Sequence, residues 1–183
     1  MNNNMQQQTT INIQEKANLI WAIADKLVGV YKPHEYGNVI LPMCVIKRFE
    51  DTLAPTKQAV LDTNAKLDKD GIVVKKGFLE TAAGQQFYNL SPFTFQSLLN
   101  DPENIKENFE SYLNHFSENV IDIIHRMDFD RELQKMADNN VLYLVIKEFC
   151  TAKAYLGADV VTSVDMGYVE SYTDTICIIP KCV

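Results

Sequence analysis

The chain has 183 residues, 46% of them hydrophobic and 22% charged, proportions that suit one ordinary globular domain with a real core. Its formal net charge of −7 argues against a self-sufficient nucleic-acid-binding module, because cationic contacts to phosphate supply most of the affinity of such modules. No apolar run reaches membrane-spanning length and the start of the chain has no apolar signal-peptide core, so the expected setting is the cytoplasm, with no membrane partner.

Residues 1–12 are Asn/Gln-rich and read as a flexible polar arm. From Ile13 the pattern turns helical: Ala17, Ile20, Trp21, Ala24, Leu27 and Val28 recur at three- and four-residue steps, and Gly29 stops them. Lys32-Pro33 marks a tight connector, since Pro33 moves Lys32 out of helical space. A second helix is predicted from Glu35 or Tyr36 to Leu53, with Val39, Ile40, Met43, Ile46 and Phe49 inward and Pro42 kinking its axis. Pro55 opens a third helix through Ala59, Val60 and Leu67.

After a turn at Asp68 to Gly71, Ile72 to Phe78 read as a short strand or extended hairpin arm. Phe87, Tyr88, Leu90 and Phe93 form an aromatic cluster that plugs a core. Asp101-Pro102-Glu103 signals a helix start, followed by the stripe Ile105, Phe109, Tyr112, Leu113 and Phe116. Ser117 is placed to cap a short helix bearing Val120, Ile121 and Ile124. Two more helices follow, near Arg131 to Asp138 and Val141 to Thr151, with Leu133, Met136, Leu142, Val145, Ile146 and Phe149 inward. The fold class is mainly α, a multi-helix bundle with at most a small hairpin around residues 70–90.

Little catalytic chemistry is visible. His34, His115 and His125 are scattered, and no G-x-S-x-G, P-loop or H-E-x-x-H occurs. Cys44, Cys150, Cys177 and Cys182 lack metal-ligand spacing, and Cys44 and Cys150 read as buried thiols. The pairs Glu50-Asp51 and Asp128-Asp130 read as solvated carboxylates. A methyltransferase acting on a base needs a glycine-rich cofactor turn and a proline-aromatic segment around the flipped base. No G-x-G exists here, and Asn89-Leu90-Ser91-Pro92-Phe93 reads as a plain turn with a core aromatic.

One long stretch carries a resemblance. Trp21-Ala22-Ile23-Ala24-Asp25, Tyr31-Lys32-Pro33-His34-Glu35-Tyr36-Gly37, Val39-Ile40-Leu41-Pro42, Lys47-Arg48-Phe49-Glu50 and Leu53-Ala54-Pro55-Thr56-Lys57 resemble the N-terminal signature of type I restriction-modification methylation subunits. Gly84-Gln85-Gln86-Phe87-Tyr88-Asn89 and Asp165-Met166-Gly167-Tyr168 follow in the order of that family. The similarity makes residues 13–169 a helical N-terminal domain. Residues 170–183 depart from the family pattern and read as an aberrant or truncated tail, with the catalytic domain absent.

The resemblance implies that the full-length subunit is an adenine-specific DNA methyltransferase, which uses S-adenosylmethionine bound in a separate Rossmann-like domain to methylate N6 of adenine. It also implies partners: a specificity subunit, a second methylation subunit, a restriction subunit in the nuclease, and DNA in the assembled complex. This chain is then expected to hold no cofactor, metal or catalytic residue, and to serve DNA enclosure and subunit assembly. The best local residues for phosphate contact are Lys32, Tyr36, Lys47 and Arg48, although Lys47 and Arg48 suit a solvated face beside Glu50 and Asp51 equally well. The other reading is a pure protein-interaction bundle that never reaches DNA, which the acidic balance and the aromatics Tyr31, Tyr36 and Tyr143 favour.

Overall fold

A computed structural model of the chain describes residues 17–151. The expected N-terminal arm, the motif at Asp165 to Tyr168, Cys177, Cys182 and the aberrant tail lie outside them.

Helix α1 covers residues 17–27 and ends at Gly29, whose φ of +86° is open to glycine at little cost. It buries Ile23, Ala24 and Leu27. Trp21 and Val28, expected on the same stripe, point outward at 48% and 65% exposure. The helix offers more apolar positions than one face can cover, and packing buries Ile23 while leaving Trp21 outward.

A 3-10 turn at Pro33–Glu35 leads into α2, Tyr36–Leu53, which runs unbroken through Pro42. Its buried positions Val39, Ile40, Met43, Ile46 and Leu53 follow the helical period. A second 3-10 turn, Ala54–Thr56, holds Pro55 and passes directly into α3, Lys57–Lys69, which buries Val60 and Leu67.

The strand expected at Ile72 to Phe78 does not form. Ile72 to Lys75 are without regular structure, and Lys76–Ala83 make helix α4, which packs on α3 through Leu79 and Ala83. β-branched residues need a neighbouring strand to complete their hydrogen bonds, and among the described residues none is present. The Ile72 amide instead returns to the Leu67 carbonyl, and Lys75 reaches back to Asn64 and Asp68. Val73 and Val74 are left 90% and 79% exposed.

The remaining helices are short: α5 at Phe95–Leu98, α6 at Ile105–Asn114, α7 at Glu118–Arg126, α8 at Phe129–Asp138 and α9 at Leu142–Thr151. Helix α6 starts later than Asp101-Pro102-Glu103 suggests. The Asp101 carboxylate accepts from the side-chain amides of Asn104 and Asn108, which holds residues 101–104 as a separate turn. Ser117 stands at the start of α7 as expected, but its hydroxyl accepts from the Tyr88 amide rather than capping the helix. That bond joins with Ser117 N–H to Tyr88 carbonyl, and Leu90 N–H to His115 carbonyl, to clip the 88–90 segment against the end of α6.

One core unites these helices. Phe95 sits at its centre, edge-on to Phe109, Tyr112 and Phe149, with ring centroids 5.6, 6.0 and 6.2 Å away. Helix α5 packs on α9, α2 on α8, and α6 on both α8 and α9. Tyr31, which reads as surface aromatic in sequence, is buried at 5% exposure, and Tyr36 and Tyr143 are half-buried against the core. Among the described residues, the large apolar side chains that do face solvent are Trp21, Val28, Val73, Val74, Phe78 and Leu144.

Candidate functional site

The four residues singled out for phosphate contact lie at two places, not one: Lys32 and Tyr36 before and at the start of α2, and Lys47 and Arg48 further along it. At 1.5 Å per residue, Tyr36 and Lys47 are about 16 Å apart along the helix axis.

At the first place, Lys32 has an extended backbone and an exposed side chain, and its amide donates to the Glu35 carboxylate at 2.7 Å. That bond, reinforced by Lys135, holds the Glu35 carboxyl below its usual range. Lys135 Nζ of α8 lies 3.6 Å from Glu35 Oε1 and 3.9 Å above the Tyr31 ring. The Tyr31 hydroxyl donates to the Glu132 carbonyl at 3.2 Å, and burial followed by the Glu132 charge pushes its ionisation upward. Glu132 is a buried carboxylate matched by the Arg131 guanidinium at 2.8 Å. Lys32, Arg131 and Lys135 thus share this end of the molecule with Glu35, Asp128 and Glu132, and the local field is mixed in sign. Tyr36 is half-buried beside it.

At the second place, Glu50-Asp51 is not the solvated pair the sequence suggests. Lys47 Nζ lies 2.9 Å from Glu50 and 2.5 Å from Asp51, and all three side chains are under a quarter exposed. Burial pulls the Lys47 ammonium down, but the two carboxylates outweigh it and leave its pKa raised. Glu50 also accepts the Phe95 amide at 2.6 Å, at the first turn of α5. The Lys47 charge is therefore committed within the protein. Arg48, next in the chain, is half-buried.

Beside this cluster opens a cleft of about 390 Å³. Phe93, Phe95, Tyr112 and Phe149 give it an apolar floor, and Lys47, Glu50, Asp51, Lys57 and Asn89 give it a polar rim. Lys57, the first residue of α3, reaches across to Asn89, with Nζ 3.0 Å from Oδ1 and 3.4 Å from the backbone carbonyl oxygen. It also lies 6.0 Å from the Tyr112 ring centroid. Burial lowers its pKa from 10.5 to about 8, against the opposing charge of Glu50. Cys150 borders the cleft, its thiol pushed up to about 11 chiefly by burial, and Cys44 is pushed up to about 12 for the same reason.

Asn89 and Ser91 are buried, and their groups are consumed locally. The Asn89 amide nitrogen donates to the Tyr112 carbonyl, its Oδ1 accepts from the Ser91 amide at 2.7 Å, and the Ser91 hydroxyl accepts from the Phe93 amide at 3.1 Å. The segment is a self-satisfied turn carrying aromatics into the core. The histidines stay apart: His115 Nδ1 contacts the Ser111 carbonyl, and His125 lies 3.9 Å from Asp130 at the surface. Among the described residues no group of His, Cys, Asp and Glu side chains is arranged to hold a metal ion.

Sequence reasoning passed over Lys57 and Asn89 as site residues. The cleft draws its walls from α2, the 89–95 segment, α6 and α9, and no local spacing announces such a meeting. The nearest signal was Lys57 itself, a cation at a helix start where the helix dipole disfavours positive charge.

A model of one protein family, the HsdM N-terminal domain, matches residues 16–149. No curated protein and no solved structure matches the chain.

Proposed function

The chain belongs to the HsdM N-terminal domain family, the N-terminal region of the methylation subunit of type I restriction-modification systems, and on that footing we propose that it is an assembly module that helps enclose DNA and performs no methyl transfer by itself. The observation that carries the assembly role is the set of large apolar side chains left in solvent. Trp21 lies on α1 and Val28 just past its end, and Val73 and Val74 in the α3–α4 connection are followed by Phe78 on α4. Apolar groups concentrated in this way mark surfaces that another protein covers. The proposed partners are the specificity subunit, a second methylation subunit and, in the nuclease, the restriction subunit.

S-adenosylmethionine is the family's methyl donor, supplied in the full-length subunit by a separate domain. The residues here do not fit its usual cradle. The turn at Asn89 to Phe93 directs its polar groups inward, and the glycines at positive φ, such as Gly29 and Gly84, end helices rather than follow strands. We assign no step of the transfer to these side chains. Titration calorimetry with S-adenosylmethionine should show no heat of binding to this chain, and a clear isotherm would overturn that part of the reading.

DNA contact in the assembled complex falls to Lys32, Tyr36 and Arg48, with Lys47 held back by its carboxylates. Co-purification with the specificity subunit, with and without DNA, tests the whole. Capture that survives nuclease treatment and is lost in Trp21→Asp or Val73→Asp supports assembly. Capture that needs DNA and ignores both substitutions overturns it. For the DNA contacts, Lys32→Glu and Arg48→Glu should weaken binding by the assembled complex and flatten its salt dependence. Unchanged affinity across salt would remove both from the interface.

The second reading, a protein-interaction bundle that never meets DNA, is favoured by the net charge of −7 and by the mixed-sign field around Lys32. It shares the assembly result and differs only in the salt dependence.

A further inference from the structure

We propose that the cleft between α2, α5 and α9 is a binding site for a carboxylate carried on an apolar stem, with Lys57 as the residue that receives the charge. This goes beyond the assembly role and does not depend on it.

The cleft contains two cations and two carboxylates, but they are not paired evenly. Lys47 takes both Glu50 and Asp51, and Glu50 is further engaged by the Phe95 amide. Lys57 forms no ion pair among the described residues, and its partners are the two neutral oxygens of Asn89. An ammonium has three N–H donors, so one remains for a further acceptor. The Glu50 charge offsets the burial of this cation only in part, since its pKa stays lowered, and an incoming anion would relieve more of that cost.

The shape of the cavity selects the rest of the ligand. Its floor is aromatic, formed by Phe93, Phe95, Tyr112 and Phe149, and its volume of about 390 Å³ is in the range that accepts a small molecule or one to two side chains. A bare anion would gain nothing from that floor, and a purely apolar group would leave Lys57 as it is. A carboxylate on an aliphatic or aromatic stem satisfies both walls. The acidic groups facing Lys57 are Glu50 and Asp51 on α2, with Tyr112 on α6 and Cys150 on α9, and Lys47 pairs with both carboxylates, offsetting one of their two charges. Anion binding should therefore be strongest where Lys57 is protonated, below pH 8, and fade above it.

The test is NMR on the full chain, following the Lys57 side-chain signals during titration with 3-phenylpropionate, and with 3-phenylpropanol as the uncharged control. The carboxylate should shift those signals and raise the Lys57 midpoint by about half a pH unit or more, and the alcohol should do neither. Lys57→Met should weaken binding at least ~10-fold, while Lys57→Arg keeps most of it. No perturbation by about 20 mM ligand, or equal binding of the alcohol, would overturn the proposal. Comparing the free acid with the capped tripeptide acetyl-Leu-Glu-Phe-amide separates the sources. Tighter peptide binding supports a partner polypeptide as the carrier, and tighter free acid supports a small metabolite.

Discussion

The Glu50 carboxylate accepts the backbone amide of Phe95 at 2.6 Å, joining residues 45 positions apart in the chain. The bond anchors the first turn of α5 to the C-terminal half of α2, and so fixes the aromatic ring that occupies the centre of the core. Hydrogen bonds to charged groups contribute more than neutral ones, about 1.5–3 kcal/mol. Glu50→Ala should cost stability in that range in urea unfolding, and Glu50→Gln should recover part of it. A loss below about 0.5 kcal/mol would show that the bond contributes no more than a surface contact.

Phe95→Ala removes a ring in contact with Phe109, Tyr112 and Phe149. With several neighbours on different helices, the site cannot collapse fully. The expected loss is about 3–5 kcal/mol, enough to bring a domain of this size close to unfolding. The unfolding midpoint in urea reports it directly.

Tyr31 tests the end of the molecule near Lys32. Tyr31→Phe deletes only the hydroxyl bond to the Glu132 carbonyl and should cost about 0.5–1.5 kcal/mol. Tyr31→Leu also removes the ring beneath Lys135 and should cost more. Equal losses for the two substitutions would mean that the cation above the ring contributes nothing.

Lys57 makes stability depend on pH in a direction opposite to the usual lysine. Its folded pKa, about 8, lies below the ordinary 10.5, so between those values the unfolded chain binds more protons than the folded one. Its contribution to stability therefore rises with pH through that window, and below pH 8 its penalty is fully present. Buried tyrosines and thiols titrate with the opposite sign, so the informative quantity is the difference from Lys57→Met. The Met variant should be the more stable at pH 7, by an amount that shrinks as pH approaches 10. A difference that stays constant across the window would show that Lys57 is not desolvated.

Lys47→Glu tests the ion cluster on α2. Reversing Lys47 places three carboxylates together in a half-buried cluster and should destabilise the isolated domain. A loss of DNA affinity in the Lys47 variant is therefore interpretable only beside its unfolding curve, and an unchanged melting temperature in that variant would contradict the structure.

The amphipathic helices were legible without coordinates wherever the apolar residues repeat over two turns or more. Ile105, Phe109, Tyr112, Leu113 and Phe116 are all buried, as are Leu142, Val145, Ile146 and Phe149. Hydrophobic periodicity is a property of the chain itself, and one core absorbs it whatever the neighbours are. The family resemblance was likewise written in local order, and the family itself is borne out by the model that matches residues 16–149.

Contacts between distant segments were decided elsewhere. Nothing in the Ile72-Val73-Val74 run says that no strand lies beside it, and without one its β preference has no hydrogen bonds to complete. Spacing does not reveal that Lys47 lies under two carboxylates, or that Lys57 hydrogen-bonds to Asn89. Tyr31 and Trp21 exchanged expected places, one buried and one exposed, for the same reason. A side chain's burial, charge partner and exposure are set by which helices meet, and that is a sum over pairs far apart in sequence, available only once the chain has folded.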